Sequence, residues 1–463
     1  HSIQMKRRDF VIQSLSGIAL ASCSRSGRNY SLFGTVDKRP LEVWWQKPFY
    51  NEERDAVELI FKETEIRTGI KSNITFVKNY SRGDQAAADA KVLGNGLVPD
   101  IYFGGGAAID LIPKLVKNNS LAAVDDIILP LKDEFVAGAI DSLAYSNING
   151  IPETIMAVPL VYNGVYIHYW KDLLAAINNS STSPEIPIGW HDFWNFWKRN
   201  HWLAREAGFS QTYGIGLPMS ANTSDTGDIF NLFLEAYGVT VIDEFGELML
   251  NNKSQRELIR SALTDYTGFY KEKYEPPSAT EWDDAENNKQ FLNYNTLMTA
   301  NPTLSIPASQ MLDEETYFQR MGSVTWPNGL DGKPLESVLQ VRPLMIFNNA
   351  RSKQAKIVVS SMLNDVGLDK FVEGSQGRYL PVFKSSQRNE FWNDASDNHI
   401  QVAIKTVESF RQPYAVKNKA YSAVINQRVW SEAIEDVALG KLDSEAATNQ
   451  LVARITDIFN QWS

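Results

Sequence analysis

Apolar positions along this chain follow two periods. The longest extended run goes from Ile155 to Trp170, Ile-Met-Ala-Val-Pro-Leu-Val-Tyr-Asn-Gly-Val-Tyr-Ile-His-Tyr-Trp. It is β-branched or aromatic almost throughout and lacks helical spacing, so it reads as strand. Two geometries suit it. Asn163-Gly164 can be the tight turn of a hairpin. Alternatively the chain stays extended and passes between two halves of the molecule, with Tyr162 and Asn163 facing the gap. Pro159 denies a ladder donor and weighs against the hairpin.

Upstream, strands and helices alternate. Leu41–Trp45 reads as a first strand, followed by a loop to Tyr50. Asn51 can cap a helix with Glu52 and Glu53 in its first turn, Val57, Ile60 and Phe61 inside, and Gly69 as its stop. Strand Asn73–Val77, helix Ser81–Leu93, strand Pro99–Phe103 and a helix from about Ala107 to Lys117 continue the series. This alternation implies an α/β layer with a parallel sheet. Between the last two elements stands Gly104-Gly105-Gly106. It lacks the Lys-Ser/Thr of a phosphate loop and the spacing of a dinucleotide fingerprint. Backbone N–H groups open to a ligand and a plain strand-to-helix turn both fit it.

Beyond Trp170, the stripe Trp190, Phe193, Trp194, Trp197 has the spacing of a core-facing helix. Tyr213–Leu217 reads as strand, Ile229–Tyr237 as helix and Val241–Leu250 as a hairpin. A long helix spans about Ser254–Lys273 and ends at Pro276-Pro277. Trp282–Leu292 reads as helix, Leu297–Ala300 as strand, and Gln340–Phe347 as a second buried extended run containing Arg342. From there to Ser463 the pattern is mainly helical.

At 463 residues the chain can bury a large core and build more than one domain. A net charge of −10 weighs against a nucleic-acid partner and against adsorption on anionic lipid. With one cysteine, Cys23, no intramolecular disulfide or cysteine-based metal site can form. The five histidines form no metal-binding spacing. Neither a metal nor a cofactor is expected.

Residues 1–23 carry the marks of export. Arg7-Arg8 followed by Asp9-Phe10 resembles a twin-arginine signal. The apolar stretch after it contains Gln13, Ser14 and Ser16, too polar and short to span a bilayer. Leu20-Ala21-Ser22-Cys23 resembles a bacterial lipobox, which makes Cys23 the lipidated residue. The competing account is an ordinary buried cysteine after an amphipathic helix. Residues 24–40 are polar and rich in Ser, Gly and Arg, as in a flexible tether.

The order of the remaining pieces resembles the extracellular solute-binding proteins of ABC importers, in the sugar-binding family that contains maltose-binding protein. The similarity spans roughly residues 41–463. It is carried by Leu41–Trp45 with its helix; Pro99-Asp100-Ile-Tyr-Phe; Val158-Pro159-Leu160 running to Tyr169 and Lys171-Asp172-Leu173-Leu174. It continues through Trp282 with Asn288-Lys289-Gln290-Phe291 before Leu297-Met298-Thr299; Trp326-Pro327-Asn328-Gly329 with Gly332-Lys333-Pro334; and Leu380-Pro381-Val382. The resemblance implies an α/β, two-lobed periplasmic-binding-protein-like fold of type II, its lobes joined by crossing strands. Val158–Val165 is then a crossover and not a hairpin, with further crossovers near Gln340–Arg342 and Val372–Tyr379. Lobe one becomes 41–158 plus 342–372, and lobe two 159–340 plus 375–463. The implied protein is a monomer and not an enzyme. It binds a small solute, a sugar, outside the cytoplasmic membrane of a bacterium, in the periplasm or on the outer membrane face, and delivers it to ABC permease subunits. It touches the membrane only through its lipid anchor and binds no nucleic acid.

A sugar needs planar polar groups for its hydroxyls and aromatic faces for its C–H patches. By position in the family pattern, lobe one offers Trp45, Gln46, Lys47, Tyr50, Ser81, Gly105, Gly106 and Ala107. The crossover offers Asn163, and lobe two Asp225, Asp228, Trp282, Asn301 and Tyr421. Arg342 and Arg378 complete the set. An arginine in an apolar run requires a carboxylate partner or a ligand oxygen. The chain departs from the maltose-binding pattern: Gly-Gly-Gly-Ala replaces an acid and a base, Asn163 replaces an acid, and no Trp closely follows Asn301. Two other functions stay open. One is a binder of a non-sugar solute, a polyamine or a phosphorylated polyol. The other is a glycoside hydrolase, which needs two convergent carboxylates. The adjacent pairs Asp125-Asp126, Asp283-Asp284 and Glu314-Glu315 read better as solvated faces.

Overall fold

The computed structural model of the chain describes residues 38–77, 99–104, 108–145, 153–363, 366–408 and 410–462. Its centre is a six-stranded sheet with strand order β11-β6-β10-β3-β1-β2. The strands are β1 (Leu41–Gln46), β2 (Ser72–Val77), β3 (Ile101–Phe103), β6 (Val158–Gly164), β10 (Leu339–Ile346) and β11 (Leu380–Pro381). Two further strands, β4 (Ala144–Tyr145) and β5 (Thr154–Ile155), pair antiparallel. A second sheet, of order β8-β7-β9, contains β7 (Tyr166–Trp170), β8 (Met298–Asn301) and β9 (Met321–Val324).

β1 runs parallel to β2 and β3, as the strand–helix alternation requires. Helix α1 (Asn51–Thr68) follows β1. It begins one residue earlier than a cap at Asn51 implies: Tyr50 is the extended N-cap residue and supplies no side-chain cap. Gly69 ends it in the left-handed conformation, φ 72°, with its N–H on the carbonyl of Glu65. The helix expected over 81–93 lies outside the described residues. Helix α2 (Ala108–Lys117) follows β3.

Every residue of β6 is buried, the mark of a strand covered on both faces. It pairs with β10 and β11, not with β7, and only Val165 separates it from β7 in the other sheet. The run is therefore a passage between sheets. Neither Asn163 nor Gly164 has the positive φ that the common hairpin turns demand. Gly164 is small for another reason: a Cβ there would meet the Tyr166 hydroxyl at 2.6 Å and Leu339 at 2.9 Å. Val165 donates to the carbonyl of Val338, and its own carbonyl accepts from the Trp326 indole at 2.9 Å. The chain changes sheets again between Val338 and Leu339.

Apolar side chains gather into two clusters that match the two sheets. The second holds helices α3 (Trp190–Glu206), α4 (Asp225–Ala236), α5 (Lys253–Lys271) and α6 (Glu286–Leu292). Trp190, Phe193, Trp194 and Trp197 are buried there, as their spacing requires. Tyr213–Leu217 forms only an isolated bridge, Tyr213 to Thr296, and no strand. Later come α7 (Ser352–Leu363), α8 (Val366–Gly374), α9 (Asn398–Lys405), α10 (Tyr421–Asn426), α11 (Val429–Ala438) and α12 (Ser444–Trp462).

The third passage falls later than Val372–Tyr379. Tyr379, Leu380, Val382, Trp392, Ile400 and Val407 all pack in the first cluster, Tyr414 and Tyr421 pack in the second, and Val416 between them still reaches the first. β11 adds to the edge of β6, which keeps this segment on the first sheet. The chain crosses after Val407. The Gln412 amide donates to the carbonyl of Asp141 at 2.9 Å, and Arg411 N–H to that of Glu336. A buried chain of hydrogen bonds also ties the lobes: His168 Nδ1 to Ser323 Oγ at 2.7 Å, and Ser323 Oγ to His399 Nδ1 at 2.6 Å.

Candidate functional site

The C-terminal end of β1 gathers several of the expected residues around one guanidinium. Arg378 is 2% exposed, and its Nη1 donates to Glu53 Oε1 at 3.0 Å and Oε2 at 3.2 Å. It also reaches the carbonyl of Lys47 at 3.4 Å. The Gln46 amide accepts from Arg378 Nη2 and donates to the Tyr379 hydroxyl at 3.1 Å and the carbonyl of Gly104 at 3.0 Å. Lys47 itself is exposed. Burial pushes the Tyr50 hydroxyl up to about 12; Arg378 opposes the shift and Glu53 adds to it. Burial also raises Glu53, against the pull of Arg378 and of the Phe49 and Tyr50 amides. Ser81, Gly105, Gly106, Ala107 and Cys23 lie outside the described residues.

Trp45 does not face this cluster. It is 0% exposed and packed against Phe61 of α1, Phe103 of β3 and Phe371 of α8. Successive strand residues point to opposite faces, and Trp45 takes the helix-covered one. The aromatic that the sequence reading passed over is Phe49. It is 51% exposed, and the carbon of the Arg378 guanidinium stands 3.6 Å from its ring centroid. That stacking fixes the ring in a loop where one face stays presentable.

A second constellation lies on the passages. Asn163 Oδ1 accepts from Arg342 Nε at 2.5 Å, and Asn163 Nδ2 donates to the carbonyl of Pro302 at 2.8 Å. Gln340 stands opposite Asn163 in the ladder and donates to Asp228 Oδ1 at 3.4 Å. Burial raises the Asp228 carboxyl, while Arg342 and Gln340 lower it. Arg342 thus has an amide and a carboxylate for neighbours. Asp225 and Asp228 occupy the first turn of α4, which starts earlier than the sequence pattern suggests. Burial, then Asp228 and Asp284, hold Asp225 well above the usual carboxylate range. Asn301 organises its own loop: its Nδ2 reaches the Thr303 carbonyl at 3.0 Å and Ser305 Oγ at 3.1 Å.

Trp282 and Tyr421 join the second apolar cluster and not an open wall. Trp282 is 1% exposed, with its indole on Ser278 Oγ at 3.0 Å. Tyr421 accepts from the Trp430 indole at 3.1 Å and sits edge-on to Tyr414. Asp284, set aside as part of a solvated pair, belongs beside Asp225 because both bond to Thr223. Gln340 carried a signal of its own, being polar inside an apolar run as Arg342 is.

Comparison with solved structures places this architecture. A sugar transporter of Arthrobacter chlorophenolicus A6 with bound laminaribiose superposes with a TM-score of 0.70 at 16% identity, over 90% of this chain and 99% of that one. Maltose-bound MalE3 of T. maritima gives 0.69 at 16%, over 90% and 100%. An ABC-transporter solute-binding protein of Thermotoga lettingae TMO bound with α-D-tagatose gives 0.69 at 16%, over 91% and 100%. The fold is that of the maltose-binding-like solute-binding proteins. No protein-family model matches the sequence, and no curated protein sequence does. At such identities the likeness is one of fold, and the two-lobed α/β arrangement with crossing strands follows from it. Among the described residues, no helix is long and apolar enough to cross a membrane.

Proposed function

We propose that this protein binds a sugar or related polyhydroxy solute outside the cytoplasmic membrane of a bacterium and delivers it to an ABC import permease. The observation that carries the reading is the polar seam on the passages. Asn163, Arg342, Gln340 and Asp228 meet where β6 and β10 leave one sheet for the other. Polar groups at such a depth are costly unless they bond to one another or to a ligand. Planar amide, guanidinium and carboxylate groups suit paired hydroxyls, and Phe49 supplies an aromatic face at the lobe-one rim. The sugar-bound neighbours in fold support the same class of ligand.

The chain acts as a monomeric binder and not as a hydrolase. Two of the adjacent acid pairs are engaged away from the seam, Asp126 with Lys356 and Glu315 with Arg320, and Asp284 is bonded to Thr223. The twin-arginine and lipobox-like residues support export and anchoring through Cys23. A thermal-shift panel of neutral sugars, polyols, polyamines and phosphate esters tests the reading. A stabilising neutral or aminated saccharide supports it. Stabilisation by polyamines or phosphate esters alone overturns it.

A further inference from the structure

Three acids, Asp225, Asp228 and Asp284, gather at the start of helix α4 with fewer donors than their oxygens can accept. Thr223 Oγ1 accepts from the Asp225 N–H at 3.1 Å and donates to Asp284 Oδ1 at 2.7 Å, so the two acids are neighbours. The acids descend from solvent inward: Asp284 is exposed, Asp228 half-buried, and Asp225 only 7% exposed. Asp284 also accepts from the Ser224 N–H at 3.2 Å. Asp228 has Gln340 and, close by, Arg342. Asp225 has neither kind of relief. Among the described residues no hydrogen bond reaches its carboxylate, and the charges acting on it, those of Asp228 and Asp284, are both negative. The nearby Tyr266 hydroxyl is committed to the carbonyl of Pro218 at 2.8 Å.

Acids in the first turn of a helix are ordinarily explained by the helix dipole or by capping. That suffices for an exposed or bonded carboxylate, not for one more than nine-tenths buried with two other acids nearby. The shortfall is one of donors and positive charge. A metal ion does not fit, because among the described residues no three acidic or imidazole groups converge to hold one. An organic ammonium does fit, since it brings charge and three donors without a fixed coordination shell.

We infer that the ligand is an amine-bearing saccharide whose ammonium passes Asp284 and rests against Asp225 and Asp228. This rests on the sugar-binding reading above and names the ligand's charge. The hydroxyls then fall to the neutral and cationic groups of the seam, and the ammonium serves the Asp225 carboxylate, which no hydrogen bond among the described residues reaches.

Calorimetric titration with the β-1,4 disaccharide of glucosamine and with cellobiose tests this directly. The two differ by an ammonium for a hydroxyl on each ring. The amine disaccharide is expected to bind about tenfold more tightly or better, as when a charge-assisted hydrogen bond replaces a neutral one. Asp225→Asn should bring the two ligands to parity. Asp284→Asn, on the exposed rim, should narrow the preference and serves where Asp225→Asn fails to fold. Equal or tighter binding of cellobiose overturns this inference and leaves the sugar reading intact. Failure of these and every other saccharide of the panel overturns both.

Discussion

Nε of Arg342 and Oδ1 of Asn163 lie 2.5 Å apart, joining the outgoing passage of the chain to the returning one. The same Asn163 amide holds the Pro302 carbonyl, so one side chain binds three segments. Asn163→Ala strands a buried donor and a buried acceptor. Urea unfolding should show a loss of about 2–3 kcal/mol. Asn163→Asp keeps the acceptor for Arg342 and should lose less; equal losses would mean that the Arg342 contact contributes nothing.

Trp45 and Phe49 stand four residues apart and should respond oppositely. Trp45→Ala empties a core site and should cost about 3–5 kcal/mol of stability. Phe49→Ala removes a half-exposed ring and should leave the melting temperature without ligand within a few degrees of wild type. On the proposed reading it should weaken saccharide binding about 3- to 12-fold. Unchanged affinity in Phe49→Ala would remove that ring from the site.

The buried pair Arg378–Glu53 makes a sharp stability test. Arg378→Ala leaves the Glu53 carboxylate buried without its cation, at a cost of about 3–5 kcal/mol. Removing both charges, as in Arg378→Met with Glu53→Met, should cost far less than the sum of the single changes. A denaturation cycle that proves additive would show that the two charges do not depend on each other.

Glu275 gives a pH signature. Its Oε1 accepts from the Leu217 N–H at 3.1 Å, while its Oε2 has no partner among the described residues. Burial raises its carboxyl well above the usual range. A carboxyl raised on folding contributes stability in full below its unfolded pKa and loses it as pH rises through the folded value. Glu275→Gln escapes that loss. Its melting temperature relative to wild type should therefore be more favourable at pH 8 than at pH 5. A difference independent of pH would refute the assignment.

The strands β6, β7 and β10, and with them the first two passages, were legible because strands buried on both faces read as unbroken apolar runs; β9 carries no such run and was not read as a strand. The face of β1 was not legible. Trp44 and Trp45 are both aromatic, and nothing in the pattern says which parity meets the helices. The last passage was misplaced because Tyr379–Val407 is built of short apolar pieces that suit either cluster; only the pairing of β11 with β6 decides. Phe49 went unnoticed since a lone exposed aromatic is ordinary until an arginine is seen stacked on it. Asp284 acquired meaning only when Thr223 folded back onto it.

The strand order has a consequence for how this chain is made. β10 lies between β3 and β6, so the middle of the main sheet is filled by residues 339–346. Until that segment leaves the ribosome, β3 lacks a neighbour on one side and β6 on both. The first half of the polypeptide is not a self-sufficient folding unit, and its open edges invite pairing with other nascent chains. A chain halted before Leu339 should depend on chaperones or aggregate, and a circular permutant that brings β10 forward in synthesis order should relieve that dependence.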